Sequence, residues 1–296
     1  MQKKGARIEA FDVVNAIIMF LVAFITLVPF WFTLVGSFNE GVDYLRGGVY
    51  FWPRTFTLGN YRAVFVNNII IKAAGVTALR TVLGTATHIL FTLMAAYAMS
   101  RPNLKFRNFY MIIFVITMFF GGGLVPTYLL YRQLGLLNNF LVYIIPGLFN
   151  VWNFIIFRSF VQTIPEAMLE SARIDGASEY VIFTRFILPL SKAAIATIAL
   201  FSGVGHWNSW FDSMMYTTDN DLQTLQLFLM RIISSYNVAA GIGQSAAKEI
   251  PSQSIKIQPE TLRLAMMIVT TAPIAILYPF LQKYFIKGVF IGSIKG

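Results

Sequence analysis

The sequence contains no cysteine, only two histidines and little charge: Asp, Glu, Lys and Arg make up 12% of its 296 residues. Without cysteine there can be neither a disulfide framework nor a thiolate metal site. His88 and His206 are isolated in sequence, so neither a histidine metal cluster nor a catalytic dyad can be drawn from them. There is no GxxxxGK[ST] loop. The one dense glycine run, "GGGLVPT" at 121–127, lacks the Lys-Ser/Thr ending that a phosphate cradle needs. The "GSIKG" near the C-terminus is not a nucleophile elbow. A membrane-embedded enzyme, which would need convergent nucleophile, acid and base groups, is therefore not supported.

What the chain has in place of charge is apolar length. It is 57% hydrophobic, with continuous apolar runs at 13–38, 69–99, 109–131, 140–160, 190–211 and 264–285. Runs of about 20 residues match the hydrocarbon thickness of a bilayer. A transmembrane β-barrel would alternate apolar and polar residues, whereas these runs are continuous and rich in helix formers. The expected fold class is all-α integral membrane with about six transmembrane helices in a single domain, 1–296. The first span is too long for a signal peptide and lacks a small-residue cleavage site, so it is expected to stay as an anchor.

Basic residues cluster at alternate ends of these runs: Lys3, Lys4 and Arg7, then Arg101, Lys105 and Arg107, then Lys283, Lys287 and Lys295. The positive-inside rule then puts both termini in the cytoplasm. Topology and attraction to anionic lipid account for most of the net charge of +10, so no nucleic-acid partner is expected. Segments 39–67 and 212–263 fall outside. In the second of these, Leu222, Leu225, Leu229, Ile232 and Ile233 recur at helical spacing, and 237–260 turns polar and small, as a loop would.

Three features inside the apolar runs stand out. Arg80 is costly in lipid and calls for a structural partner across a subunit interface or a place on a pore. His88, among threonines, fits a hydrogen-bonded packing role better than a proton carrier. The glycines at 121–123, followed by Pro126, suit either a hinge or a close helix contact, with close packing favoured.

One segment breaks the apolar pattern. Between Pro165 and Pro189, "EAMLESARIDGASEYVIFTRFIL" carries Glu166, Glu170, Arg173, Asp175, Glu179 and Arg185, and the alternation puts it in the cytoplasm. Pro165 suits a helix start, with Glu166 complementing the helix dipole. Asp175-Gly176 should end that helix and Ser178 should cap a second, giving two short helices around a glycine turn. A helix resting on lipid would carry an excess of Lys and Arg; the charges here are balanced, which favours docking to another protein.

At this point the residues resemble a known family. "ESARIDGA" with Phe183, Leu188 and Pro189 is similar to the Glu-Ala-Ala loop of inner-membrane permease subunits of bacterial ATP-binding-cassette importers, with Ser171 in place of the middle alanine. "AAYAMSR" (95–101), "GHWNSWFD" (205–212) and the ending "YPFLQKYFIKGVFIGSIKG" (278–296) resemble the carbohydrate, maltose-type branch and its polysaccharide-type subgroup. The resemblance covers almost the whole chain.

It implies the type I importer permease fold, with a core at about 69–285 and a coupling helix within 162–189 that sits in a cleft of a cytoplasmic ATPase. Glu170, Ser171, Ala172, Asp175, Gly176, Ala177 and Pro189 would be the ATPase-coupling residues. The implied partners are a second, homologous permease, two ATPase subunits that carry the ATP and magnesium, and an extracytoplasmic solute-binding protein. No cofactor is expected on this chain. The implied cargo is an oligosaccharide or polysaccharide; a non-sugar solute is the alternative, and an ion channel or secondary transporter would leave the charged loop without a purpose. No internal repeat is evident, unlike a transporter holding both halves in one chain.

For the pathway or the permease interface the candidates are Trp207, Asn208, Trp210, Asp212 and Arg80. Aromatic faces stack on sugar rings and an amide both donates and accepts, although interfacial aromatics and packing amides are common in membranes. On a continuous helix, Trp207 and Trp210 differ by about 60° and share a face, and Asn208 points elsewhere.

Overall fold

The computed structural model describes residues 10–66, 68–241 and 258–293. Helices dominate. Among the described residues there is no strand, and the only extended pairing is an isolated bridge between Asn39 and Phe56. The helices are α1 Ala10–Ser37, α2 Gly41–Tyr44, α3 Gly59–Val66, α4 Asn68–Ser100, α5 Arg107–Phe119, α6 Leu124–Gln133 and α7 Val151–Val161. They continue with α8 Glu166–Ile174, α9 Glu179–Ile182, α10 Leu188–Leu190, α11 Lys192–Asn208, α12 Phe211–Tyr216, α13 Leu225–Gly241 and α14 Pro259–Ser293.

Among the described residues, three helices are long and apolar enough to cross a membrane: α1, α4 and α14 over Pro259–Phe280. Three further runs pass that test only as bent pairs. They are α5 with α6 at 115°, Phe140–Gly147 with α7 at 49°, and Glu179–Leu190 with α11 at 77°. The six apolar runs are thus present, but half of them are broken helices.

The first break corrects the reading of the glycine run. Phe120 is extended, Gly123 has φ 81°, and a Cβ built on Gly121 or Gly123 meets nothing within 4 Å. The glycines turn the chain rather than admit a neighbouring helix. Pro189 does not end its helix. A π-helical turn at Phe183–Ile187 carries the helix through it, and the bend falls two residues later, at Ser191. A proline lacks the N–H that an α-helix would direct to residue 185, and the wider π turn absorbs that loss.

The described chain divides into two compact units, one of residues 10–66, 231–241 and 258–271, the other of 68–230 and 272–293. In the first, α1 buries none of its apolar window among the described residues. Segment 39–66 is held by a buried polar knot. The amide of Asn60 donates to the carbonyls of Ser37 and Asn39, both at 2.9 Å, and accepts from Thr261 Oγ1 at 2.9 Å.

In the second unit α4 packs against α11 and α7. Its apolar core joins Leu93, Ala96 and Met99 of α4, Phe154 and Phe157 of α7, Leu169 and Ala172 of α8, and Ile198 of α11. The amphipathic segment near residue 225 is helical, but Leu222 precedes it in a separate 3-10 turn. Of the expected loop 237–260, Asn237–Gly241 are still helical and Pro259 already opens α14, while 242–257 lie outside the described residues.

Candidate functional site: the charged loop and a polar cavity

The loop after α7 is built from local signals. α8 begins after Pro165, with Glu166 in its first turn and Arg173 in its last, each complementing the helix dipole. It ends in a Schellman motif: the Ala177 N–H reaches the Ala172 carbonyl at 2.9 Å and the Gly176 N–H reaches that of Arg173 at 3.0 Å. That motif needs a left-handed residue, and Gly176 has φ 80°. Ser178 then caps α9, its hydroxyl accepting from the Val181 N–H. Two short helices around a glycine turn result, as the sequence implied.

The two sides of the loop differ. Leu169, Ala172, Ile182, Phe183 and Ile187 are buried in the core. Glu170, Ser171, Asp175, Gly176, Ile174 and Tyr180 face outward, and Ala177 and Pro189 are half-buried. Ile174 is 86% exposed and Tyr180 76%.

Above the loop, α4 presents Thr77, Arg80, Gly84, His88 and Thr92 as one buried stripe. Arg80, His88 and residues from the 140–153 segment, the end of α11 and α12 surround a polar cavity of about 360 Å³. Arg80 is 2% exposed. Both terminal nitrogens engage the Asp212 carboxylate, Nη1 also donates to the Ser209 carbonyl at 3.3 Å, and the guanidinium lies 4.3 Å from the centre of the Tyr143 ring. Asp212 in turn accepts from Ser209 Oγ at 2.7 Å and from the Ser213 N–H at 2.9 Å. A buried charge is tolerable in such a place because it is paired and hydrogen-bonded.

His88 is fixed in one neutral tautomer. Its Nδ1 lies 2.7 Å from the Gly147 carbonyl, which can only accept, so Nδ1 carries the proton and Nε2 accepts from the Asn153 amide at 2.9 Å. This is the packing histidine that the sequence suggested. His206 reaches the same cavity because Gly84 leaves room for it: a Cβ there would lie 2.6 Å from the imidazole. Among the described residues, no group of three or more His, Asp and Glu could hold a metal.

The candidates at the end of α11 do not stay together. α11 stops at Asn208, Ser209 is extended, and Trp210 precedes α12. The expectation that Trp207 and Trp210 share a face assumed a continuous helix and is corrected by this break. Trp207 lines a second, apolar cavity of about 370 Å³ with Thr81, Thr85, Ala199, Gly203 and Pro273. Asn208 is exposed and its Oδ1 accepts from Gln226 Nε2 at 3.2 Å, while Trp210 stacks edge-on against Phe211. Only Arg80 and Asp212 of the five meet in the polar cavity. Tyr143, Asn150 and Asn153, which line it too, were not singled out from the sequence. The stripe at i, i+4, i+8 on α4 was the readable signal there.

Comparison with known proteins adds to this geometry. A family model described as "binding-protein-dependent transport system inner membrane component" matches residues 88–291. The chain is 38% identical to protein LplC of Bacillus subtilis over 97% of this chain and 96% of that one. It is 36% identical to the polygalacturonan/rhamnogalacturonan transport system permease protein YtcP of the same organism, over 97% and 98%. It also matches a chain in the crystal structure of a bacterial ABC transporter involved in the import of the acidic polysaccharide alginate. There the TM-score is 0.83, the identity 29%, and the match covers 96% of this chain and 99% of that one.

Proposed function

The chain belongs to the family of binding-protein-dependent transport system inner membrane components, and from that premise we propose that it is one permease subunit of an ATP-binding-cassette importer for an oligosaccharide or polysaccharide. It forms half of the translocation pathway beside a second, homologous permease. The loop around Gly176 is its coupling element, seated on a cytoplasmic ATPase, with both termini on that same side. An extracytoplasmic solute-binding protein delivers the cargo. The outward row of Glu170, Ser171, Ile174, Asp175 and Gly176 on an element otherwise anchored in the core is the observation that carries this reading.

Mechanistically, ATP and magnesium act in the ATPase subunits. When those close, their clefts move the loops, and the packed helices rock between inward-facing and outward-facing arrangements about a central site. The polar cavity is the portion of that site assigned to this subunit. Asn150, Asn153, Ser202 and Ser209 offer donors and acceptors for hydroxyls, and Tyr131, Phe149 and Tyr216 offer ring faces. Its volume of about 360 Å³ suits one ligand unit rather than a whole chain. Arg80 and Asp212 form its inner wall, and Trp207, Asn208 and Trp210 serve packing or the partner permease. The saccharide class is supported by the named cargo of the relatives.

Co-purification is the test. Expressed with its genomic neighbours, the chain should bring down an ATPase whose hydrolysis rises with saccharide-loaded binding protein, and it should show no ATP hydrolysis alone. ATP turnover by this chain alone, or stimulation only by a non-sugar ligand, would overturn the reading.

A further inference from the structure

The charged groups of the loop do not all point to a docking partner. Three of them, Glu166, Arg173 and Glu179, close on one another and on Arg101 at the end of α4. Arg101, just past α4, bonds Glu179 through Nη2 and lies 3.7 Å from Glu166 through Nη1. Arg173 reaches the same two carboxylates, Glu166 at 3.1 Å and Glu179 at 3.3 Å. The Tyr97 hydroxyl donates to the second oxygen of Glu179, and the Arg101 guanidinium lies 5.3 Å from the centre of the Tyr97 ring. Signs alternate around the ring, so each charge has two opposite neighbours.

Arg101 is the member that no property of the loop itself requires. The apolar face of α8 already anchors in the core, and α8 caps and terminates by its own residues. What Arg101 adds is a polar tie between both loop helices and one particular helix, α4. No proline interrupts α4 over its 33 residues. Arg80 and His88 of the polar cavity lie on this same helix, Arg80 about 20 residues, or roughly 30 Å, from the tie.

We propose that the ring of Arg101, Glu166, Arg173 and Glu179, closed by Tyr97, clamps the coupling loop to α4, so that a displacement of the loop is delivered along α4 to the cavity wall. Arg101 is then a positioning residue for energy coupling. This rests on the loop being the coupling element.

The experiment uses the whole importer in proteoliposomes with loaded binding protein and reads ATP hydrolysed per saccharide taken up. Arg101→Gln should still assemble with the ATPase and hydrolyse ATP, while the ratio rises by on the order of fivefold, the lower end of coupling between distant sites. Arg101→Lys, which keeps the charge, should restore most of it. A merely structural ring would lower the yield of complex and leave the ratio unchanged in what remains, which would overturn the proposal.

If Arg101→Gln does not assemble, spin labels decide. The chain has no cysteine, so Met94→Cys on α4 and Ala167→Cys on α8, both exposed, give one distance within this subunit. With Arg101 present that distance should be the same with and without trapped nucleotide; a change between those states would overturn the clamp. Failure of the wild-type chain to bind any ATPase would instead strike the coupling reading beneath it.

Discussion

Two arginine–carboxylate clusters sit along α4, one around Arg80 and one at its C-terminal end. The Arg80–Asp212 pair is enclosed, with Arg80 2% and Asp212 24% exposed at the side chain. The ring around Arg101 is open on its carboxylate side, with Glu166 at 42% and Glu179 at 54%, while Arg101 at 23% and Arg173 at 28% are half-buried. Burial sets what each can do. Breaking an enclosed pair leaves a desolvated charge without a partner, at about 3–5 kcal/mol, whereas an exposed pair contributes about 0.2–1 kcal/mol. The cavity cluster therefore holds the fold around it. The loop cluster can be altered without unfolding the chain, as an element that works by moving must allow.

The largest effect expected from this contrast is at Asp212. Asp212→Ala strands Arg80 and should lower the stability of the purified chain in detergent by about 3–5 kcal/mol. Adding Arg80→Met to that variant should recover most of the loss. A loss below about 1 kcal/mol for Asp212→Ala would put the pair in the exposed class and erase the distinction.

Gly176 comes next, because its strain is purely of the backbone. A Cβ there meets nothing within 4 Å, but φ is 80°, so Gly176→Val should cost about 1–2 kcal/mol. It should also uncouple transport by distorting the turn between α8 and α9. Gly176→Asn, which tolerates the left-handed region, should be much milder. Normal assembly and normal transport by the valine variant would show that the turn is not needed.

The smallest effect belongs to the ring. Glu166→Gln leaves Arg101 and Arg173 with Glu179 and should change stability by less than about 1 kcal/mol, less still in high salt. A denaturation series at two ionic strengths checks both statements. A loss comparable to that of Asp212→Ala would mean that the ring is a structural lock.

The same contrast explains what was legible in the sequence. The loop could be read almost to the residue, since its helix start, Schellman glycine and serine cap are local signals within one contiguous stretch. The cavity could not. Arg80 and Asp212 were each visible as candidates, but no local pattern pairs residues 132 positions apart. The end of α11 was misread for a related reason. Nothing in "HWNSWFD" forbids a helix by propensity, yet Ser209 is drawn out of it, its carbonyl taken by Arg80 and its hydroxyl by Asp212. The glycines at 121–123 were read as a contact because composition alone cannot separate a tight approach from a turn. The bent spans share this property: their breaks depend on what they pack around.

The claim that the loop around Gly176 seats an ATPase can be tested by placing a single cysteine in this cysteine-free chain. Ile174→Cys and Tyr180→Cys replace the two most exposed large apolar side chains of the loop, and Trp52→Cys, at 76% exposure, serves as the control from segment 39–66. With a short bifunctional cross-linker and the co-expressed ATPase in membranes, both loop positions should form an adduct with the ATPase and position 52 should not. Adducts at 52 with none at 174 or 180 would contradict the assignment.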